Sequence, residues 1–235
     1  MSDSVVWHDL ECGSYRADLP LWRELAARVA PEAVLEIGAG TGRVALDLAQ
    51  RGHRVIALER EGELARELQR RAGRLPIEVI EADACSFELA RAVGLCIAPM
   101  QAVQLLEDRL GLFRSVAGAL RPGGTLAMAI LPEQLGAFEL ELDPDVLERD
   151  GVLYASAPTA LRTTATSVVL ERRRRISGER EAAPALDVVQ LARLTVAQLA
   201  REAAVAGFRE LGTSSISATD AHVGSDVLLL TRGPQ

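Results

Sequence analysis

Apolar and polar positions change period several times along this chain, and the changes mark its elements. DLPLWRELAARVA (18–30) sets Leu21, Trp22, Leu25 and Val29 on one helical stripe, with Pro20 suited to the first turn and Asp18 as cap. Short apolar runs then alternate with helix-period stretches. Strands are predicted at 34–37, 54–58, 77–81, 94–98 and 124–130, and helices at 42–51, 61–72, 86–91 and 101–119. Such a rhythm predicts a parallel sheet covered on both faces. It breaks at Pro132. From 133 to 194 the pattern is strand-like: VLYASAP, TATSVVLERRRRIS and PALDVVQLARLT read as three extended segments, joined around Pro158 and Ser177-Gly178. Residues 195–206 restore a helix, with Thr195 as cap candidate and Gly207 as its stop, and RELGTSSIS with SDVLLLTR reads as a closing hairpin. The expected architecture is doubly wound α/β. A mostly parallel seven-stranded sheet ends in an antiparallel hairpin and carries a small antiparallel β insertion after strand five. The expected divisions are 1–132 for the first half of the main domain, 133–194 for the insertion and 195–235 for the completing helix and hairpin.

The chemistry concentrates in VLEIGAGTG (34–42). A buried strand runs into a turn whose Gly38, Gly40 and Gly42 permit positive φ and close backbone approach to a ligand. The helix that follows presents free N–H groups and a positive dipole end. The next strand, HRVIAL, ends in Glu59, whose carboxylate can accept two hydrogen bonds from a ribose diol. This combination marks a site for a nucleoside-bearing cofactor at the carboxyl edge of a parallel sheet. The spacing is GxGxG, with Arg43 where the dinucleotide GxGxxG pattern wants glycine, and Glu36 stands just before the loop. A carboxylate there repels a pyrophosphate but suits an amino group or a sulfonium.

From these residues the chain resembles the class I S-adenosylmethionine-dependent methyltransferases, a Rossmann-like family. IEVIEADAC (77–85), CIAPMQAVQLL (96–106) and LRPGGTLAMAI (120–130) extend the resemblance in the family's order and spacing. It implies S-adenosyl-L-methionine as cofactor, held by Tyr15, Glu36, Gly38, Ala39, Gly40, Gly42, Glu59, Arg60, Asp83, Ala84 and Ala98. In that scheme Asp83 and the Ala84 backbone read the adenine edge, and Glu36 acts near the methionine amino group. Acceptor contacts are implied from an N-terminal lid (Tyr15, Asp18, Trp22) and from the loop after strand four (Met100, Gln101, Gln104). The small-molecule branch often reads APFNSLQHL at this loop. Here APMQAVQLL puts Met100, Gln101 and Leu105 where Phe, Asn and His are frequent, so no base is offered there. His222, in ATDAHVGSD between the last two strands, is the candidate general base. Crossover topology places the insertion near the carboxyl edge, where it is expected to roof the acceptor cavity or to pair subunits in a homodimer.

Composition narrows the setting. The formal net charge of −7 argues against a broad nucleic-acid surface. No stretch of about eighteen apolar residues occurs, and MSDSVVWHDLEC has no basic and apolar leader pattern, so neither a membrane span nor export is expected. Cys12, Cys85 and Cys96 lack CxxC spacing and are expected as reduced thiols of a cytoplasmic protein, without a metal site. The chain contains no Lys and no Asn, which removes a P-loop, a lysine base and the Asn-Pro-Pro-Tyr motif of adenine and glutamine methylases. The ERRRR run (171–175) reads as a solvated edge strand or a subunit contact. These readings converge on methyl transfer to oxygen or nitrogen of a small molecule, of the secondary-metabolite kind. The alternatives are an NAD(P)-dependent oxidoreductase and a catalytically silent cofactor-binding partner subunit.

Overall fold

The structure, a computed structural model, describes residues 2–139, 142–219 and 222–233, with only the backbone at Phe138. The chain opens with α1 (Asp3–Cys12), α2 (Leu19–Val29), β1 (Val34–Ile37), α3 (Arg43–Gln50), β2 (Val55–Glu59), α4 (Gly62–Ala72) and β3 (Ile77–Glu81). It continues through β4 (Val93–Ala98), a 3₁₀ turn at Ala102–Leu105, α5 (Arg109–Ala119) and β5 (Leu120–Ile130). Five strands follow: β6 (Phe138–Glu139), β7 (Asp145–Arg149), β8 (Val152–Thr163), β9 (Ser167–Gly178) and β10 (Ala182–Ala192). The chain closes with α6 (Val196–Val205), β11 (Phe208–Ile216) and β12 (Ser225–Arg232). It divides into two compact units, residues 15–133 with 194–235, and residues up to Ser14 with 134–193.

In the larger unit, seven strands lie in the order β11-β12-β5-β4-β1-β2-β3. The five from β5 to β3 are parallel and β12 is antiparallel to both neighbours. This is the Rossmann-like sheet with a C-terminal hairpin that the alternation implied. β1 is central and buried along its whole length, which is why its run is apolar apart from Glu36. α6 starts with a capping box: Gln198 N–H donates to Thr195 Oγ1 (3.1 Å) and Thr195 N–H to Gln198 Oε1 (3.0 Å). Gly207, at φ 84°, ends it. Asp18 does not cap α2. Its backbone is helical, and its carboxylate turns inward to other partners described below.

Two predicted helices differ. Residues 86–91 form no helix; Phe87 is buried there and its N–H donates to Ser115 Oγ (3.3 Å). Without a covering helix, edge strand β3 stays half-exposed, and a groove of about 880 Å³ opens beside the starts of β2, β3 and β4. The helix predicted at 101–119 is broken at 106–108. Asp108 starts α5 afresh by accepting from Gly111 N–H (2.8 Å).

The smaller unit joins α1 to an antiparallel sheet ordered β10-β9-β8-β6, with β7 also paired to β8. The sequence pattern predicts no helix at α1, and the first residues group with the insertion, not with the first half of the main domain. Val6, Trp7 and Leu10 pack with Tyr154 against Leu147, Val152 and Ile176, and the Trp7 and Tyr154 rings meet edge-on at 5.1 Å. Glu11 accepts from Ser156 Oγ (2.7 Å) and from both prongs of Arg174 (2.8 and 2.6 Å). The ERRRR run is consequently no edge. β9 lies between β8 and β10, and Arg174 points at Glu11 and Asp187, not into solvent, because those carboxylates need a counter-charge. Pro158 sits inside β8 at a register shift and not in a loop, since a bulge tolerates the missing N–H.

Among the described residues no helix is long and apolar enough to cross a membrane. Replacing Thr195 with Ala should lower stability by about 1 kcal/mol through loss of the α6 cap. Urea unfolding with an unchanged slope would report it.

Candidate functional site

Because β1 to β4 are parallel, the segments after Ile37, Glu59, Glu81 and Ala98 emerge at one sheet edge. Asp226 pairs with Ile130 at the end of β5, so the β11–β12 loop reaches the same edge. Asp220 and Ala221 of that loop lie outside the described residues. The glycine loop is a tight left-handed turn, with φ of 66°, 57° and 98° at Gly38, Gly40 and Gly42. A Cβ on Gly38 would stand 3.2 Å from Ala102 Cβ, and one on Gly42 would collide with Leu68 Cδ1. Ala39 is buried and its N–H donates to the Leu58 carbonyl (3.0 Å), tying the loop to β2.

Two carboxylates frame this turn. Glu59, buried at the end of β2, accepts from Gly40 N–H (2.8 Å) through Oε2 and from Glu61 N–H (2.9 Å) through Oε1. Each oxygen retains a lone pair for a further donor. Glu36 is 2% exposed, and its Oε2 has no hydrogen-bond partner. Burial pushes its carboxyl up to about 8; Arg43 opposes the rise, Asp18 and Glu59 add to it, and the Ala45 backbone lowers it.

Arg43 organises the turn, a role that the pattern of apolar and polar positions does not mark. It is the first residue of α3, where a cation opposes the helix dipole. Its guanidinium grips Asp18 with two bonds of 2.6 and 2.7 Å, both side chains almost wholly buried. It also donates to the Tyr15 carbonyl (3.1 Å) and lies 5.1 Å from the centroid of the Tyr15 ring. The signal was present: an Arg next to a glycine turn at a helix start demands a carboxylate nearby.

The other candidates differ in their surroundings. Tyr15 is buried, its hydroxyl lacks a partner, and its ring stacks on His222 at 4.8 Å with a 32° tilt. Burial first, then Asp18, raises the Tyr15 phenol. Asp83 is exposed and accepts from Cys85 N–H (2.8 Å), fixing a turn that buries Ala84, while Arg60 is exposed. Met100, half-buried at φ 53°, and Gln101 follow Ala98, the buried end of β4. Two residues are not where acceptor contact requires. Trp22 is fully enclosed in the core and its indole N–H donates to Asp18 Oδ2 (2.8 Å). Gln104 is buried and its Oε1 accepts from Leu131 N–H (2.7 Å), pinning the loop to the end of β5.

Residues 34–124 match the family model of the methyltransferase domain. An uncharacterized methyltransferase of Mycobacterium tuberculosis is 32% identical over 97 residues, 41% of this chain and 49% of that protein. Ribosomal RNA small subunit methyltransferase A of Anaeromyxobacter dehalogenans is 32% identical over 160 residues, 68% of this chain and 54% of that protein. The chain thus spans about half the length of the curated relatives it matches. Among solved structures, the sugar N-methyltransferase KedS8 from Streptoalloteichus superposes with a TM-score of 0.78 at 15% identity, covering 100% of this chain and 94% of that one. In its matched segment and in its fold the chain resembles the class I S-adenosylmethionine-dependent methyltransferases.

Asp18→Ala should destabilise the protein by roughly 3–5 kcal/mol, because it strands a buried guanidinium. Trp22→Phe keeps the ion pair and should lose far less; equal losses in chemical denaturation would contradict the ion-pair account. Glu36 binds its proton more tightly folded than unfolded. Its contribution to stability is therefore full below about 4.5 and is lost as pH rises towards about 8. Melting temperature should fall over that window in the ligand-free protein and fall less in Glu36→Gln.

Proposed function

We propose that the chain transfers the methyl group of S-adenosylmethionine to oxygen or nitrogen of a small-molecule acceptor. The observation that carries this reading is the pair of buried carboxylates at the glycine turn, Glu59 with acceptor capacity to spare and Glu36 with an unpartnered oxygen. In this reading Glu59 takes the ribose hydroxyls, Glu36 the amino group, Tyr15 the carboxylate, and Asp83 with Ala84 the adenine edge. A pyrophosphate over Glu36 would meet like charge, which disfavours the nicotinamide alternative. The bound cofactor supplies a methyl group already activated by its sulfonium. What remains for the protein is alignment, a contribution of roughly 7–11 kcal/mol in well-oriented systems.

Met100, Gln101 and His222 are the residues assigned to the acceptor, with His222 taking a proton from a hydroxyl or ammonium. A homodimer is the proposed oligomeric state. A small-molecule acceptor is supported by the sugar substrate named for KedS8 and by the acidic charge of −7. Ribosomal RNA, named for another relative, would need a basic face.

Calorimetry should show binding of S-adenosylmethionine and none of NAD; the reverse would overturn the proposal. Gly40→Val should fold but lose the cofactor. Glu59→Ala should weaken cofactor binding by about 1.5–3 kcal/mol, the range for hydrogen bonds to a charged group. Methyl transfer to amino sugars but not to small-subunit ribosomal RNA would support the acceptor class, and the opposite preference would reject it.

A further inference from the structure

The floor of the glycine turn holds more negative groups than positive ones. Asp18 and Glu59 add negative charge around Glu36, and the Arg43 guanidinium opposes it. Asp18 already occupies two of its N–H groups, and Glu59 is engaged by Gly40 and Glu61 backbone N–H groups. The strands flanking Glu36 place Ala57 and Ile97 beside it, neither of them titratable. The Tyr15 ring faces the Arg43 guanidinium and stacks on His222, and the Ala45 backbone supplies a polar contact to Glu36. Glu36 Oε2 is thereby buried with no donor, an arrangement that a carboxyl relieves by keeping its proton.

We propose that cofactor binding at this site is coupled to proton release: Glu36 is protonated in the free enzyme and ionises when the ligand's ammonium reaches Oε2. The proton leaves to solvent as the ammonium–carboxylate pair forms, so charge balances within the pocket. This rests on the cofactor reading above and adds a regulatory consequence. Near neutral pH the enzyme holds substrate and product more weakly as the medium acidifies, because each must first displace a proton. The elevation of the Glu36 carboxyl to about 8 places this response within the physiological window.

The test is titration calorimetry of the full chain with S-adenosylhomocysteine in two buffers of different ionisation enthalpy. At pH 7 about one proton should be released per ligand bound. Affinity should rise close to tenfold per pH unit between about 5.5 and 7.5 and then level off. Glu36→Gln should lose both the release and the slope. Should that variant fail to fold, carbon-13 NMR of glutamate carboxyls in the wild-type protein reads the same ionisation directly. Binding without proton release, with affinity flat across this range, would overturn the coupling and leave the cofactor assignment standing. Release that persists in a folded Glu36→Gln would also overturn it, by placing the proton elsewhere. Absence of binding at every pH would instead remove the cofactor reading itself.

Discussion

The Arg43–Asp18 ion pair is the interaction on which the site's geometry depends. It joins the entry to α2 to the start of α3, across the glycine turn, and both charges are hidden from water. Buried pairs of this kind contribute little net stability over an apolar contact, yet breaking one is severe. The pair is completed by Trp22 N–H on the Asp18 side and by the Tyr15 carbonyl on the Arg43 side. It therefore fixes the backbone before α2, the ring of Tyr15 and the first turn of α3 together.

That arrangement also explains why Glu36 Oε2 is left without a hydrogen-bond donor among the described residues. Arg43, the guanidinium that acts on Glu36, is already gripped by Asp18, and Glu36 Oε2 keeps no hydrogen-bond partner. Glu59, by contrast, is held in place by backbone donors while keeping acceptor capacity. The two carboxylates stand in different surroundings because their partners differ: one is pre-oriented, the other is under-satisfied. Such opposite environments for like groups are a mark of functional sites.

How much could be read from the sequence follows the range of the interactions. The turn, its flanking strands and Glu59 are set by local glycine conformations and by strand periodicity, and the alternation gave the sheet. The Thr195 cap and the Gly207 stop were equally local. Asp18 was assigned to a helix cap because its partner Arg43 lies 25 positions away and leaves no local trace. Trp22 and Gln104 were expected at an acceptor but serve packing, which depends on which face of a helix or loop turns inward. α1 was invisible because its apolar residues answer to Tyr154, 147 positions after Trp7, and not to a neighbouring turn. Residues 86–91 have helical composition, but burial of Phe87 draws them into an irregular crossover.

A crystal structure of the chain with bound S-adenosylhomocysteine addresses the central claim most directly. The account predicts the ligand's amino nitrogen within hydrogen-bond distance of Glu36 Oε2, its ribose hydroxyls on Glu59, and the Arg43–Asp18 pair intact. A ligand whose amino end lies away from Glu36, or whose binding requires Arg43 to release Asp18, would contradict it.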